Sequence, residues 1–409
     1  MSYSDCLIVG ASHAAAQLAP RLRQLGWQHS IRIIGEELIP PYHRPPLSKE
    51  YLSGKKSIED LLIRPSALYE QLNIQLKLGV RVESVSASEH SITLCNGDKL
   101  HYNKLVLATG SSVRRLSVPG ADLAGLFYIR SIVDVEKIRP YVQKGKKAVV
   151  IGAGYIGLEA AAMLTQLGMN VTILESAERI LERVTSNTVS DFLHRLHQQH
   201  GVEILTNVQV EALEGDAHVS KVRLADGSRL PADLVIAGIG VTPATQLAES
   251  AGLMLDNGIK VDAYTQTSSP DILAVGDCTT HFSELYQRWV RLESVQNASD
   301  QANACAQYLC GKPQAYSALP WFWSDQYGIK LQIAGLAQGY DRKIVRQNPG
   351  DQNALTVFYL QGDKLLALDA INQPKDFMQG KRLISDQTNV DSTQLADPYF
   401  ALSNFFKQS

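Results

Sequence analysis

The sequence predicts an α/β protein that ends in a separate α+β domain, and three observations carry that expectation. The first is Lys147-Ala-Val-Val-Ile-Gly-Ala-Gly-Tyr-Ile-Gly-Leu-Glu159. It runs from a β-branched strand through three glycines into an Ala-rich helix, and Val171-Thr-Ile-Leu-Glu175 then supplies a second apolar strand. The second is the same rhythm at the start of the chain, where Asp5-Cys-Leu-Ile-Val-Gly10, a helix from Ala14 to Leu25 and Ile31-Arg-Ile-Ile34 follow one another. The third is a change of texture from Leu319. Trp321-Phe-Trp323, alternating strands and a turn centred on Gly362 predict a mostly antiparallel C-terminal domain.

A strand–turn–helix–strand context is what gives a G-x-G-x-x-G its meaning as a dinucleotide site. Gly152 permits the tight turn, Gly154 lets the backbone approach a pyrophosphate, and Gly157 lets the helix pack close to the strand. The helix N-terminus offers unbonded N–H groups and a partial positive charge to the phosphates. Glu175 lies 175 − 157 = 18 residues beyond the last glycine, a spacing suited to a carboxylate on an adenosine ribose. A dinucleotide fold normally begins with this motif, yet here it stands in mid-chain.

The opening segment carries a weaker version. Of the three glycines only Gly10 survives in Gly10-Ala-Ser-His-Ala-Ala15. Ala15 is an accepted third residue, but Ser12 puts a side chain where the backbone should meet phosphate. Glu36, 36 − 15 = 21 residues after Ala15, again has the spacing of a ribose carboxylate. Next comes Pro40-Pro-Tyr-His-Arg-Pro-Pro-Leu-Ser-Lys49, whose prolines fix φ and resist helix. So stiff a loop, with Arg44 and Lys49 projecting, suits the positioning of a planar ligand; a plain rigid turn is the competing reading. Residues near 58 to 100 predict a helix and short strands with a hairpin at Asn96-Gly97. Leu105-Val-Leu-Ala-Thr-Gly110, Asp233-Leu-Val-Ile-Ala-Gly238 and Asp271-Ile-Leu-Ala-Val-Gly-Asp277 are further buried strands ending in glycine. Pro119-Gly120 reads as a linker.

Composition narrows the function. At 409 residues the chain is long enough for two or three domains. Hydrophobic content of 45% and charged content of 20% are those of a soluble globular protein. With 39 basic against 41 acidic residues, neither nucleic acid nor an anionic membrane is indicated as a partner. No signal-type N-terminal segment and no membrane-length apolar run is present, so the expected location is the cytoplasm. The five cysteines are scattered, which fits a reduced compartment and no disulfide framework. Cys305 and Cys310 have the spacing of a redox-active pair, but they fall in a helical pattern, where residues five apart point about 140° apart. They read as structural, and no metal site is expected.

Taken together, Arg44-Pro-Pro-Leu-Ser-Lys49, Ala108-Thr-Gly110, Gly152 to Glu159, Asp233 to Gly240, Ala274-Val-Gly-Asp277, Arg288-Trp-Val-Arg-Leu-Glu-Ser-Val295 and Pro320-Trp-Phe-Trp-Ser-Asp-Gln-Tyr327 resemble the FAD-dependent, NADH-using ferredoxin reductases of oxygenase systems. They span nearly the whole chain in family order. The resemblance implies two Rossmann-like dinucleotide-binding domains in a glutathione-reductase-like arrangement, the flavin domain being interrupted by the NAD domain. The implied division is 1–114 and 244–318 for FAD, 115–243 for NAD and 319–409 for the C-terminal α+β domain.

It also implies site residues. Non-covalent FAD would be held by Gly10, Ser12, His13, Ala14 and Ala15, with Glu36 on the adenosine ribose. Arg44, Pro46, Lys49, Val82, Ala108, Thr109, Gly110, Arg130, Gly276, Asp277, Ser294 and Val295 would complete that site. NADH would meet Gly152, Gly154, Tyr155, Ile156, Gly157, Glu159, Glu175, Arg183, Gly238, Ile239 and Gly240. Lys49 would lie beside the flavin, where a cation favours its anionic reduced form. Glu159 would pair with Lys49, although a helix charge in that position can also be plain solvated surface. Tyr155 would stand over the flavin face that nicotinamide reaches, and Trp323 on the side nearest the redox partner. The partner implied is a putidaredoxin-like 2Fe-2S ferredoxin.

A carboxylate at position 175 accepts ribose hydroxyls and repels a 2′-phosphate, so NADH is expected over NADPH. Arg179 and Arg183 are close enough in sequence to reach the nucleotide or to be surface charges. Three alternatives remain beside the ferredoxin reading. A rubredoxin reductase would differ only in its partner. A pyridine-nucleotide disulfide reductase or NADH oxidase needs a cysteine near the flavin, and the Pro41 to Lys49 loop has none. An interaction protein of the apoptosis-inducing-factor type predicts basic clusters that are not evident. The oligomeric state is not fixed by the sequence.

Overall fold

The computed structural model describes residues 2–407. Its contacts divide the chain into two compact units. One contains residues up to His43, Ser57–Ser112 and Val241–Pro320; the other contains Arg44–Lys56, Val113–Gly240 and the chain from Trp321 onward.

The first unit is built on a mostly parallel sheet. Strand Ser2–Val9 lies between Ile31–Ile34 and Lys99–Leu107, parallel to both, and Ile74–Lys77 extends the sheet beyond Ile31–Ile34. Strand Lys99–Leu107 shares its other edge. Its first half pairs antiparallel with Ser91–Leu94, and Leu105, Val106 and Leu107 pair in parallel with Ile272, Leu273 and Ala274. Cys6, Leu7, Ile8, Leu105, Val106 and Leu107 are fully buried, as near-continuous apolar runs covered on both faces must be. One face is covered by helices His13–Gln24 and Val295–Leu309, which pack on each other through small residues including Ala15, Ala19, Ala302 and Ala306. Cys305 is inside that core, and all five cysteines are free. Asn96-Gly97 makes the expected hairpin, with Gly97 at φ +85°.

The second unit holds a five-stranded parallel sheet in the order Glu203–Leu205, Asn170–Leu174, Lys147–Ile151, Leu234–Ala237, Leu126–Phe127. It also holds a five-stranded antiparallel sheet in the order Trp321–Gln326, Ile329–Gly335, Lys364–Ile371, Leu355–Gln361, Arg342–Gln347. Helix Pro374–Ser385 packs across the latter. Two tight hairpins set its register: Tyr327-Gly328 with φ of +53° and +78°, and Gly362-Asp363 with Gly362 at φ +58°. Paired positive φ values give the turn a twist that matches the flanking strands. Among the described residues no helix is long and apolar enough to cross a membrane.

Candidate active site

In the first unit the carboxyl ends of the parallel strands carry the residues expected to hold a dinucleotide. The Ser2–Val9 strand is where the strand order reverses, and its end is the place an open α/β sheet offers a ligand. Gly10 turns there at φ +111°, and a Cβ on it would lie 2.1 Å from the carbonyl oxygen of Ala108. No other residue fits. Ser12 is the N-cap of helix His13–Gln24 with an ordinary extended backbone and no side-chain capping bond. The N–H groups of the first turn therefore have no acceptor within the helix. Glu36 is exposed just past its strand, while Thr109 Oγ1 donates to the Ala244 carbonyl and Ser111 Oγ to Asp277 Oδ2. Gly276 donates its N–H to Gln301 Oε1, which also accepts from Thr279 Oγ1.

The second unit repeats this geometry with all three glycines present. Gly152 has φ +98°, and a Cβ would lie 2.6 Å from the Gly238 carbonyl oxygen. A Cβ on Gly157 would lie 2.1 Å from the Gly152 carbonyl oxygen. Gly154, the N-cap of helix Tyr155–Gln166, differs from both, since nothing stands within 4 Å of its missing Cβ. That open ground in front of the helix N-terminus is what close approach of a pyrophosphate requires. Glu175 reaches back to it. Its Oε2 accepts the Ala153 N–H at 2.8 Å and its Oε1 accepts the Ala177 N–H at 2.9 Å. Arg179 is committed to Ser190 Oγ and the Glu182 carbonyl, whereas Arg183 is exposed. Of the two arginines considered as nucleotide ligands, only Arg183 is available.

The same unit assembles a charge pair around a buried carboxylate. Residues Pro45–Ser48 form a 3-10 turn started by two prolines, which delivers Lys49 at its end. The loop is held down by Tyr51, whose hydroxyl donates to Glu136 Oε1 at 2.5 Å and whose ring lies 4.2 Å beneath the Arg139 guanidinium. Burial and the Glu136 carboxylate push that phenol up to about 12. Arg44 donates to the Arg130 carbonyl. Lys49 Nζ then lies 2.7 Å from Glu159 Oε2. Glu159 is only 6% exposed, and it accepts from Ser48 Oγ at 2.9 Å and Ser324 Oγ at 2.7 Å as well. It is no solvated helix charge. A cation and two hydroxyl donors together offset the cost of burying this carboxylate. Tyr155 begins the same helix one turn earlier, its ring 4.9 Å from Phe322.

The sequence matches the family described as pyridine nucleotide-disulphide oxidoreductase over residues 4–302, and the reductase C-terminal family over residues 321–406. The chain belongs to the pyridine nucleotide-disulphide oxidoreductases, in their ferredoxin-reductase branch. It is 46% identical to putidaredoxin reductase of Pseudomonas putida, over 96% of this chain and 94% of that one. It is 44% identical to the ferredoxin reductase subunit of the 5,5′-dehydrodivanillate O-demethylase of Sphingobium sp., over 97% of each. Among solved structures, the covalent putidaredoxin reductase–putidaredoxin complex matches with a TM-score of 0.96 and 44% identity, over 100% of this chain and 99% of that one.

Within the family frame, the structure separates the expected catalytic residues. Lys49 meets Glu159, Tyr155 lies one turn earlier on the same helix as Glu159, and Trp323, expected on the side of the redox partner, lies apart from the pair. Side chains alternate along the strand Trp321–Gln326. Phe322 and Ser324 meet Tyr155 and Glu159, so Trp321 and Trp323 point the other way, where Trp321 meets Phe377 and Lys381. Ser48 and Ser324 were missed as site residues, although both stand inside quoted motifs. Ser324 had one readable signal, the period-2 spacing of 322, 324 and 326, and Ser48, in the Pro45–Ser48 turn, had none. A second buried cluster is also new. Asp369, 2% exposed, accepts from the hydroxyls of Thr185 and Tyr359, and Tyr359 is bonded to Ser186 in turn. Burial pushes the Asp369 carboxyl up to about 6. Among the described residues the buried Tyr155 hydroxyl has no protein partner, and burial followed by the Asp369 charge pushes its phenol upward. Among the described residues no cluster of His, Cys, Asp or Glu could hold a metal ion.

Proposed function

We propose that this enzyme takes a hydride from NADH onto non-covalently held FAD and passes the electrons singly to a 2Fe-2S ferredoxin. That ferredoxin would feed a cytochrome monooxygenase or a Rieske-type dioxygenase. The observation that carries this reading is the Lys49–Glu159 pair, buried at 2.7 Å on the helix that Gly154 caps, in a loop segment with no cysteine. A disulfide reductase needs a thiol there; an electron transferase needs a cation.

FAD, when bound, supplies the conversion between two-electron and one-electron chemistry. The residues present fit it: Gly10 leaves no room for a side chain, the first turn of helix His13–Gln24 presents its N–H groups, and Glu36 is exposed to accept a ribose hydroxyl. We assign FAD to 1–114 and 244–318, NADH to 115–243, and contacts with the redox partner to 319–409. Val82, Ala108, Gly110, Asp277, Ser294 and Val295 complete the flavin site in this assignment. Lys49 places a positive charge where reduction adds a negative one, and Glu159 fixes that ammonium in place. Glu175 accepts the adenosine ribose of NADH and repels a 2′-phosphate. Trp323, turned away from Glu159, serves the side where electrons leave. Arg288, Arg291, Lys312, Arg342, Lys381 and Arg382 are basic residues that could dock an acidic partner, and of these Arg291, Arg342 and Arg382 are engaged by Glu293, Asp363 and Asp386. Lys381 stands over the Trp321 ring and Arg288 over the Tyr286 ring, which leaves Lys312 as the better candidate. We place the enzyme in the cytoplasm, supported by its five free cysteines.

The test is NADH-dependent reduction of purified redoxins at low and high salt. We expect rapid reduction of a 2Fe-2S ferredoxin, slowed by salt. Failure with every ferredoxin beside rapid rubredoxin reduction overturns the partner assignment.

A further inference from the structure

The hydrogen bonds around Glu159 continue away from Lys49, and their direction is dictated by charge. An ionised carboxylate only accepts. Ser324 Oγ lies 2.7 Å from Glu159 Oε1, so the single hydroxyl proton is spent there. Ser324 must then accept from its other neighbour, and the Gln326 side chain meets it with Nε2 at 3.0 Å. That orients the amide, leaving Gln326 Oε1 to face His197 Nε2 at 2.8 Å. An amide oxygen only accepts, so the imidazole carries its proton on Nε2. His197 is fully buried, and burial pushes it down to about 4, so it is neutral and its bare Nδ1 faces the Tyr327 hydroxyl at 3.4 Å. Tyr327 is stacked on His200, ring centroids 3.8 Å apart, which closes the chain at the surface. Every donor from His197 inward points toward Glu159. An amide cannot pass protons along readily, so this is a brace and not a wire.

We propose that Gln326 and His197 are positioning residues that act through Ser324 to hold the Glu159 carboxylate aimed at Lys49 during reduction by NADH. The inference rests on the reading of Glu159 given above. The brace draws on three elements: helix Asn187–Gln199 brings His197, strand Trp321–Gln326 brings Gln326 and Ser324, and helix Tyr155–Gln166 brings Glu159. Bonds that polarise one another in a low-dielectric interior reinforce each other, and reversing one breaks the run.

Two measurements on the flavin-loaded enzyme test it. In ¹⁵N-histidine-labelled protein, the signal that His197→Gln removes should report the Nε2–H tautomer; an Nδ1–H tautomer overturns the proposal. Rapid mixing with NADH provides the second. Gln326→Glu keeps the shape but can only accept, so it competes for the Ser324 proton. It should slow flavin reduction about tenfold, with NADH affinity within about twofold, as expected for one lost hydrogen bond to a charge. His197→Leu should show a similar loss, and His197→Gln, whose amide can still donate, should restore most of it. Should Gln326→Glu fail to fold, the His197 pair and the tautomer still decide. If Glu159→Gln slows reduction while Gln326→Glu and His197→Leu do not, the brace is refuted and the role of Glu159 stands. If Glu159→Gln reduces at the normal rate, both fall.

Discussion

Replacing Asp369 by asparagine offers a test whose size follows from the structure. Asp369 is buried in the strand Lys364–Ile371 between two hydroxyl donors, with no cation beside it. Loss of hydration outweighs those two bonds and raises the carboxyl from 3.8 to about 6. A carboxyl with a raised folded pKa binds its proton more tightly in the folded protein. Its contribution is therefore fully present below pH 3.8 and is lost as pH rises through about 6. The difference of about two units, at 1.36 kcal/mol each, amounts to about 3 kcal/mol. An asparagine side chain cannot ionise, so Asp369→Asn should remove this pH dependence. Amide donors left without acceptors cost about 1–3 kcal/mol at every pH, so the slope and not the offset is the quantity to read. Urea unfolding of both proteins at pH 4, 5, 6, 7 and 8 should show the variant gaining about 2.4 kcal/mol relative to the wild type between pH 4 and 7, part of the full difference being already lost at pH 4. Parallel curves would refute the assignment of a neutral buried Asp369 at low pH.

The remaining predictions concern the nucleotide and charge sites. Gly154→Ala should fold as well as the wild type, because its new Cβ meets nothing within 4 Å, while its KM for NADH rises about tenfold. Gly157→Ala should instead lose about 1–3 kcal/mol, since its Cβ meets a backbone carbonyl at 2.1 Å; equal melting temperatures for the two variants would sink this distinction. Glu175→Ala removes both the acceptor for the Ala153 N–H and the carboxylate proposed above to repel a 2′-phosphate. NADH should weaken and the ratio of kcat/KM for NADPH over NADH should rise at least about tenfold, and an unchanged ratio would exclude Glu175 as the selector. Lys49→Met leaves the buried Glu159 without its cation and should cost about 3–5 kcal/mol, most of it recovered in the double variant with Glu159→Gln. Strict additivity in that cycle would show the pair is not coupled.

What the sequence made legible was local. Gly152, Gly154 and Gly157 could be read because each constraint lies within one turn of the next, and Glu175 because the spacing of a strand–helix–strand unit is nearly fixed. Asn96-Gly97 was equally plain. Tyr327-Gly328 was not read as a turn, because nothing marks a tyrosine as the residue that will take φ +53°. The brace on Glu159 lay further out of reach. Ser48, Ser324 and His197 are separated from Glu159 by 111, 165 and 38 positions, and a serine says nothing about which acceptor it will meet. Trp323 shows the converse. Strand alternation alone put it opposite Ser324, and that could have been read from the period of two.

Ser12 is the residue whose departure from the fingerprint asks for a physical account. In the intact motif at Gly152 the three glycines do different things. Gly152 has positive φ, and Gly157 sits against a carbonyl, so both serve the fold. Gly154, at φ −76° and ψ 176°, is in a conformation any residue adopts and keeps ground clear only for the ligand. At the first turn the fold-serving Gly10 is retained at φ +111° and Ala15 packs with no exposure. Ser12, at φ −135° and ψ −154°, replaces only the glycine that serves the ligand. The substitution therefore changes how closely a dinucleotide approaches and leaves the turn intact. On the assignment proposed above, the first site holds FAD permanently, can draw on many other contacts and tolerates that loss, whereas the second exchanges NADH at every turnover and relies on fewer. Enlarging the residue tests this. Ser12→Val suits the extended backbone, so flavin-free protein should unfold at the wild-type urea concentration while FAD dissociates several-fold faster, at a cost of about 1 kcal/mol. A loss of stability in the flavin-free protein as large as the loss of FAD affinity would show that Ser12 belongs to the fold after all.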